Sequence, residues 1–387
     1  MAGMATREFQ LTPDAATLLA YLREGEPRTR GQLAELSGLA RSTVASRLDG
    51  LLESGLVAPV GAGVSSGGRP PGFLAFQPAA RILLAIDLGA THAVVALTDL
   101  SGAVLELEST ELDIADGPVA VLDWVLDCAE RLRSRSGRPA SDIVGVGIGL
   151  PGPVEHSTGL PTNPPIMPGW DRFDVPGYIR RSFAVPVLVD NDVNLLALGE
   201  HATVWRQEDD LLFVKVATGI GAGIISGGRL QRGAQGSAGD LGHVRVPFSA
   251  RTPQHGDADA DLEALASGPG IARALSAAGV PATSSRDVVE LARIGDARAT
   301  DAIRQAGREL GEVLATAVNI LNPSVIVIGG SIARAGEHLV AGVREVVYGQ
   351  STPLATRHLT ITESRAGETG GVIGAATMLI QYLLDPA

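Results

Sequence analysis

The sequence predicts an α/β protein with a small helical head and a larger body of alternating strands and helices. Residues 12–76 have the order helix, helix, turn, helix and β-hairpin. From residue 82 onward, short apolar strands alternate with helical segments, which is typical of layered α/β folds. The body also contains three glycine-rich turns, and each of them directly follows an apolar strand. These three observations define the two parts of the chain.

The head begins with three predicted helices. Thr12 as N-cap and Pro13 at the first helical position predict the start of the first helix. The second helix is expected over about 30–37 and the third over about 41–54, with Gly38 in the tight turn between them. The apolar residues recur at a spacing of three or four, and those expected to face inward are Leu18, Leu19, Leu22, Leu33, Leu36, Val44, Leu48, Leu51 and Leu52.

A β-hairpin follows the third helix. The apolar runs LVAPV and FLAF flank GAGVSSGGRPPG, which we interpret as the tip of the hairpin. Three helices followed by a hairpin are the order of a winged helix-turn-helix, a DNA-binding motif. Its boundary falls near Gln77, so the head covers residues 1–78.

Polar residues on the third helix are candidates for DNA contact. Arginine bonds guanine through two acceptors, Ser and Thr bind phosphates or base edges, and arginine in a wing enters the negative minor groove. The alternative is a helical hairpin with solvated arginines, or a winged helix that contacts protein. Ala40 stands where an N-cap Ser or Asn is expected, and the missing cap makes the helix less stable by about 1 kcal/mol. The candidate DNA-binding residues are Arg41, Ser42, Thr43, Ser46, Arg47 and, in the wing, Arg69.

The acidic balance of the chain belongs to the body. The formal net charge is −12, from 31 basic and 43 acidic residues, yet residues 1–80 hold seven of each. A neutral head can bind DNA if its arginines share a face, whereas an acidic body is repelled by phosphate. Any contact with DNA is therefore assigned to the head.

The body is expected to form two lobes, at residues 79–190 and 191–387, with a C-terminal helix that returns to the first lobe. The first turn contains Asp87, Gly89 and Thr91, the second Thr218 and Gly219, and the third Gly329 and Gly330. Glycine lets phosphate approach the backbone, a Thr hydroxyl bonds it, and Asp holds Mg²⁺ through water. Three such turns in this order predict the two-lobed actin-like (ribonuclease H-like) ATPase and sugar kinase fold, with ATP and Mg²⁺ as possible ligands.

The segment LVDNDVNLLALGE lies between the first two turns. Asn191 and Asp192 follow a strand and precede a helix. A carboxylate there bonds sugar hydroxyls, or takes a proton from the hydroxyl that attacks ATP. The alternative interpretation is that Asp192 is only the N-cap of the helix. GSAGDLGH and ADLEALASG follow downstream and contain Asp240, His243 and Glu263.

With these motifs the chain resembles the ROK family of repressors, open reading frames and kinases, and in particular its repressor branch. The resemblance covers about residues 30–384, and TGIGAGI…GAQGSAGDLGH and DNDVN are its most specific stretches. It implies phosphates at 87–91 and 218–219, and homodimers or homotetramers. It also implies a sugar pocket that contains Asn191, Asp192, Asp240, His243 and Glu263, with Asp192 in the position of the catalytic base.

The sequence departs from the family pattern in three places. The resemblance implies a zinc site built from the GH histidine and three cysteines, but the corresponding stretch RTPQHGDADADLE contains none, so no zinc is expected. Replacement by His243, His255 and nearby aspartates is the less favoured alternative. Asp240 stands where the family has Glu, which shortens the side chain by one methylene. His92 replaces the Lys of GGTK, and we interpret it as a strand residue.

The sequence therefore predicts a sugar-responsive DNA-binding transcriptional repressor whose body binds a sugar or sugar phosphate. The alternatives are an ATP-dependent sugar kinase and a bifunctional protein. No stretch has the roughly 20 apolar residues that cross a bilayer, no signal peptide is recognisable, and Cys128 is the single cysteine. A cytoplasmic protein without a membrane partner is expected.

Overall fold

The structure is a computed structural model, and it describes residues 11–62, 72–246 and 261–386. It divides into two compact units. Unit 1 takes its described residues from Met1–Gly149, Met167–Val189 and Ala375–Ala387, and unit 2 from Leu150–Ile166 and Asp190–Gly374. The division of the chain at 78/79 and 190/191 stays a prediction.

The head has the predicted winged helix-turn-helix order. Thr12 caps the first helix through its hydroxyl, and Thr29 and Gln32 form a capping box at the second. Gly38 ends the second helix with φ +68°, a left-handed conformation that glycine adopts without strain. The elements are α1 (Pro13–Arg23), β1 (Arg28–Thr29), α2 (Arg30–Ser37), α3 (Arg41–Glu53), β2 (Val57–Ala62) and β3 (Gly72–Phe76), with the sheet order β1–β3–β2.

Leu36 corrects one expectation for the head. It was predicted to face inward with Leu33, but it is 44% exposed whereas Leu33 is fully buried. Residues three apart on an α-helix point about 60° away from each other. Leu36 also lies in the last turn of this short helix, and Leu33 is the residue that α2 buries. The prediction of Leu36 as a core residue was wrong.

Unit 1 contains a sheet with the strand order β10–β7–β4–β5–β6. Strands β4, β5 and β6 form an antiparallel meander, and β7 pairs with β4 in parallel. Both β4 and β7 are buried along their whole length, as expected for strands covered on two faces. The elements are β4 (Ile82–Leu88), β5 (His92–Asp99), β6 (Val104–Glu111), α4 (Pro118–Ser136), β7 (Ile143–Leu150), β8 (Val154–Glu155), β9 (Leu160–Pro161), α5 (Val175–Arg180) and β10 (Val187–Asn191), of which β8 and β9 pair in unit 2.

Unit 2 repeats this topology with the order β13–β12–β11–β14–β15. Its first three strands form an antiparallel meander and the last two add in parallel. This repeated order confirms the predicted actin-like (ribonuclease H-like) fold. The elements are α6 (Asp192–Thr203), β11 (Leu211–Val216), β12 (Ile220–Ser226), β13 (Arg229–Gln231), α7 (Leu262–Ala266), α8 (Gly268–Ala277), α9 (Ser285–Arg293), α10 (Ala297–Leu321), β14 (Val325–Gly329), α11 (His338–Gln350), α12 (Pro353–Thr356), β15 (Thr360–Glu363) and α13 (Gly370–Leu384).

Helix α6 is fixed at its C-terminal end by a buried carboxylate. Glu200 is fully buried, and it accepts hydrogen bonds from the Ser364 hydroxyl (2.7 Å) and from the backbone N–H groups of Arg365 and Ala366 (2.9 and 3.0 Å). A buried carboxylate needs several donors to compensate for its lost hydration. Glu200 therefore holds the loop after β15 against α6, whose N-terminus carries candidate site residues.

An ion pair joins the two ends of the described chain within unit 1. The Arg23 guanidinium in α1 lies 2.6 Å from the carboxylate of Asp385, directly after α13. Among the residues described, every helix is too short or too polar to cross a lipid bilayer.

Candidate functional site

The third helix of the head presents a polar face. Its apolar residues Val44, Leu48 and Leu51 are buried against the rest of the head. Opposite them, the predicted DNA-binding residues Arg41, Ser42 and Ser46 are exposed, while Thr43 and Arg47 are half-buried. Arg69 lies outside the described residues, so its place in the wing stays a prediction.

The N-terminus of α3 begins at an apolar residue. Ala40 is the N-cap, and among the described residues no side chain caps the first turn. The free N–H groups of a first helical turn and the positive end of the helix dipole attract anions. Arg41 adds a full positive charge at the same point. Because Ala40 does not cap the helix, it makes the helix less stable, and it also leaves the first N–H groups available to an anion such as phosphate.

Arg47 is partly engaged within the head. Its Nε lies 3.5 Å from an Asp14 carboxylate oxygen, and both side chains are about 40% exposed. A surface ion pair of this kind contributes little to stability. Releasing Arg47 from Asp14 therefore costs little.

The junction of β10 and α6 carries two predicted sugar-binding residues. Asn191, and not Asp192, is the N-cap of α6, since its Oδ1 accepts from the N–H of Val193 at 2.9 Å. The Asn191 amide nitrogen donates to the Gly152 carbonyl at 2.8 Å. Asn191 thus orients the start of the helix with its own side chain. The interpretation of Asp192 as a mere cap does not describe this helix.

Asp192 occupies the first position of α6 and is only 5% exposed. Its carboxylate forms an ion pair with the ammonium of Lys215 in β11. A carboxylate buried to this degree requires a partner of opposite charge. Lys215 was not among the residues predicted for the site, although a lysine inside the apolar run LLFVKVA is a visible signal.

A second buried carboxylate, Asp190, was also missed from the sequence. It is 2% exposed and accepts from Arg232 Nε (2.6 Å), from Asn194 Nδ2 (2.8 Å) and from the backbone N–H of Asn191 (2.8 Å). The imidazole Nδ1 of His156 lies 3.6 Å from it. Asp190 holds the end of β10 in place, so that Asn191 and Asp192 keep a fixed orientation.

Glu263 lies against the hairpin formed by β11 and β12. Its carboxylate accepts from the N–H of Ile220 at 2.9 Å. A Cβ added to Gly219 would lie 2.7 Å from that carboxylate, and one added to Gly242 would lie 3.2 Å from it. Bare backbone at these two glycines is therefore what lets the acid reach the turn.

Asp240 and His243 form an exposed pair. Asp240 Oδ1 and His243 Nδ1 are 2.8 Å apart, and the side chains are 51% and 68% exposed. The hydrogen bond and the charge of Asp240 raise the pKa of His243. Partial burial lowers this pKa, and the charges of Glu263 and Asp261 raise it further. Asp192, Asp240, His243 and Glu263 all belong to unit 2. They supply acceptors, and in protonated His243 a donor, of the kind that binds sugar hydroxyls.

The Asp240–His243 pair makes a pH-dependent prediction. Because the protonated imidazole is favoured, His243 should titrate above its ordinary value of 6.5. The ion pair is then complete at low pH and is lost as the pH rises through the raised pKa. A proton NMR titration measures this midpoint. Asp240→Asn should lower the midpoint of His243, and an unshifted midpoint in the variant would contradict the pairing.

The first predicted phosphate turn is partly filled by the chain itself. Asp87 is 6% exposed at the end of β4, and Thr91 is exposed. The N–H of Gly89 donates to the His92 carbonyl at 2.8 Å, and the imidazole of His92 packs against the α-carbon of Gly89. His92 begins β5, as predicted for a strand residue, but it also covers the glycine that was expected to face a phosphate.

The other two turns differ in character. Thr218 is exposed and Gly219 half-buried, and the turn is closed by an N–H of Ala217 that donates to the Gly219 carbonyl at 3.0 Å. Gly329 and Gly330 are packing positions: a Cβ on Gly329 would lie 2.6 Å from the Phe213 ring, and one on Gly330 would overlap the Val216 backbone. The close contact between β14 and β11 explains why glycine is needed at both positions, and no ligand is required for that explanation.

The chain does not fit the zinc ligand set that the resemblance implies. Its one cysteine, Cys128, is buried in α4, where burial and the charge of Glu108 raise its pKa to about 12. A zinc ligand must be a thiolate, which this environment disfavours. The described residues contain no group of three or more His, Cys, Asp or Glu side chains placed to hold a metal ion. Residues 247–260, which include His255, lie outside the described ranges, and the absence of zinc stays a prediction.

Comparison with known proteins gives matches to both parts of the chain. Residues 83–382 match the sequence model of the ROK family, and residues 15–61 match that of the IclR helix-turn-helix domain. A solved ROK family transcriptional regulator, a homologue of the E. coli MLC protein, is 27% identical with a TM-score of 0.81, and the match covers 96% of each chain.

Two curated relatives show how far the similarity extends. The xylose repressor of Bacillus spizizenii is 27% identical over 383 residues, which are 99% of this chain and 98% of that protein. The glucokinase of Halalkalibacterium halodurans is 28% identical over 320 residues, which are 78% of this chain and 96% of that protein. The repressor match therefore includes the head, whereas the glucokinase match has about the extent of the body alone.

Proposed function

Because the chain belongs to the ROK family and carries an IclR-type helix-turn-helix at residues 15–61, we propose that it is a sugar-responsive, DNA-binding transcriptional repressor. The observation that carries this proposal is the combination of head and body in one chain. A repressor needs both parts, while a sugar kinase needs only the body. The full-length similarity to a xylose repressor supports the same function.

The head would place α3 in the major groove of the operator. Its exposed face offers Arg41, Ser42 and Ser46 to phosphates and base edges. Thr43 and Arg47 lie at the margin of that face and would make further contacts. Arg69 would enter the adjacent minor groove. The acidic body leaves this face as the DNA contact, since phosphate repels the rest of the chain.

The body would bind the effector sugar or sugar phosphate at the start of α6. The sugar pocket is assigned to Asn191, Asp192, Asp240, His243 and Glu263. Asp192 and Glu263 accept from sugar hydroxyls, Asn191 fixes the helix start, and the Asp240–His243 pair contacts a further hydroxyl. The sugar acts on transcription by binding one conformational state of the protein better than the other. We place this regulator in a homodimer or homotetramer, because paired heads match paired half-sites in DNA.

A selection and release experiment tests this function. Purified full-length protein selects its operator from a random duplex library, and the selected duplex is then titrated with the protein by fluorescence anisotropy. D-xylose, D-glucose, N-acetyl-D-glucosamine and their 6- or 5-phosphates are added in turn. We expect one of them to change operator affinity by roughly 5- to 150-fold, the usual range of coupling between two sites. Failure to select any duplex, or indifference to the whole panel, would refute the proposal.

The alternative is an ATP-dependent sugar kinase, with Asp192 as the catalytic base. In that case the ATP phosphates would lie at 87–91 and 218–219, the adenine ring at Gly329–Gly330 and Mg²⁺ near Asp87. The similarity to a glucokinase favours it. Two contacts oppose it: Lys215 neutralises the carboxylate that would take the proton, and His92 covers Gly89. A coupled assay for ADP release with the same sugars measures this activity, and turnover comparable to that of a sugar kinase (of order 1–100 s⁻¹) would favour the kinase.

A further inference from the structure

Lys215 is the only lysine among the 31 basic residues of this chain. It lies in β11 between the buried residues Val214 and Val216, and its side chain is only 19% exposed. A charge inside an apolar strand is unfavourable unless it has a partner, and that partner is the Asp192 carboxylate. A chain that uses arginine at every other basic position thus places its one lysine ammonium beside Asp192, an acid assigned to the sugar pocket.

Apart from His243, the side chains assigned to the sugar pocket are acceptors or are already engaged. Asp192, Asp240 and Glu263 are acceptors when ionised. The side chain of Asn191 is engaged, since its Oδ1 accepts from Val193 and its Nδ2 donates to Gly152. A sugar hydroxyl both donates and accepts, so carboxylates satisfy only its donating capacity, and protonated His243 is the one unengaged donor of the assigned set. An ammonium group carries three donors on a flexible stem and adds what the acids lack.

The hairpin of β11 and β12 brings Lys215 to the same region as the other acids of the pocket. Lys215 is paired in register with Gly221, and a Cβ on Gly221 would lie 3.5 Å from the side chain of Val193, the neighbour of Asp192. The next residue of β12, Ile220, donates its N–H to Glu263. Lys215 is therefore joined to Asp192 by an ion pair and to the Glu263 region by one short hairpin.

We propose that Lys215 is a direct sugar-binding residue, whose ammonium donates to a hydroxyl that the Asp192 carboxylate accepts from, or to the adjacent hydroxyl of the same sugar. This inference rests on the proposed sugar-responsive function and adds to it a donor that pairs with Asp192. It also means that an arginine, with its larger planar group, does not replace this lysine without loss.

The chemistry of a single lysine gives a direct readout. Acetic anhydride acetylates free amines, so in the full-length protein it has two targets, Lys215 and the α-amino group of the N-terminus. Peptide mass spectrometry follows both, and the N-terminal amine is the internal control. With D-xylose, D-glucose or N-acetyl-D-glucosamine, whichever releases the operator, acetylation of Lys215 should slow at least fivefold while that of the N-terminus is unchanged. Sugars that do not release the operator should protect neither amine.

Two variants provide a second measurement. Lys215→Met keeps an unbranched side chain that is one atom shorter and removes the donor, so the dissociation constant of the releasing sugar should rise at least tenfold by calorimetry. Lys215→Arg keeps the charge opposite Asp192 and should fold like the wild type, yet its sugar affinity should also fall, by at least threefold. Thermal melts establish that each variant is folded.

The outcomes separate this inference from the proposed function. If a sugar releases the wild-type protein from its operator but leaves Lys215 acetylation and the sugar affinities of both variants unchanged, Lys215 does not bind sugar. The proposed regulatory function then still stands. If no sugar of the panel releases the operator, both proposals fall. Protection of Lys215 together with weakened binding in both variants supports the inference.

Discussion

Replacing Asp192 with asparagine is expected to abolish the response to sugar and to leave operator binding by the unliganded protein intact. The substitution keeps the size of the side chain and removes the charge that, in the proposed pocket, accepts from sugar hydroxyls. Asp192 is 5% exposed, so water does not substitute for the lost interaction. Hydrogen bonds to a charged group are worth about 1.5–3 kcal/mol, which corresponds to sugar binding weakened on the order of 10- to 150-fold.

The same substitution leaves the Lys215 ammonium without its carboxylate. Removing one partner of a buried ion pair lowers the free energy of unfolding by about 3–5 kcal/mol. Because the Lys215 side chain is 19% exposed, we expect a loss below the upper end of this range. A lower melting temperature is therefore expected together with the lost response. Sugar titrations belong below that temperature, where circular dichroism shows the variant to be folded.

Asp301→Asn is the matched control for Asp192→Asn. Asp301 is exposed on α10, and its substitution changes the net charge by the same amount. It should leave sugar affinity, operator release and melting temperature at wild-type values. An Asp192→Asn protein that releases the operator at the wild-type sugar concentration would remove Asp192 from the pocket.

Removing the arginines of α3 is expected to have the second largest effect. Arg41→Ala takes a full charge from the uncapped N-terminus of the helix, and Arg47→Ala takes one that is held loosely by Asp14. Each should weaken operator binding by about 1–3 kcal/mol, or roughly 5- to 150-fold. Sugar binding should not change, because α3 belongs to the head and the residues proposed to bind sugar belong to unit 2.

The salt dependence of binding distinguishes the kinds of contact. If an arginine binds a phosphate, its loss lowers the slope of log affinity against log salt by about one. If it reads a base, its loss relaxes the sequence preference at one position. Arg293→Ala on α9 makes the same change in net charge from a residue that is 69% exposed and serves as the control. Equal operator affinity in the Arg41, Arg47 and Arg293 variants would exclude α3 as the reading helix.

The head could be predicted from the sequence because its signals are local. Thr12 with Pro13 determines where α1 begins, and Gly38 determines where α2 ends. Each acts through hydrogen bonds or backbone angles within a few residues of itself. Leu36 was placed wrongly because burial depends on which neighbouring helices cover a face, and helical periodicity alone does not contain that information.

The body shows what local signals leave out. Strands and turns were recognisable, but the repeated strand order of the two sheets has no tandem repeat in the sequence to reveal it. Arg232 binds Asp190 from 42 residues away, and Lys215 binds Asp192 from 23 residues away. Pairs so distant along the chain become visible only when the sheets bring them together. Lys215 was nevertheless detectable as a charge in an apolar strand.

Glycine patterns proved ambiguous in the same way. Gly219 and Gly242 make room for the Glu263 carboxylate, while Gly329 and Gly330 make room for neighbouring strands. Gly219 and Gly330 each follow an apolar strand and look alike in the sequence. Which of them faces a ligand depends on tertiary contacts, and the assignment of nucleotide phosphates to 87–91 and 218–219 and of the base to Gly329–Gly330 stays a prediction.

The ion pair between Arg23 and Asp385 has a practical consequence for protein engineering. A purification tag or fluorescent protein fused shortly after Asp385 would emerge beside the end of the first helix of the helix-turn-helix. DNA binding measured with such a fusion should therefore be compared with that of the untagged protein. The turn at Gly227–Gly228 between β12 and β13, in unit 2, is an alternative insertion point for a reporter.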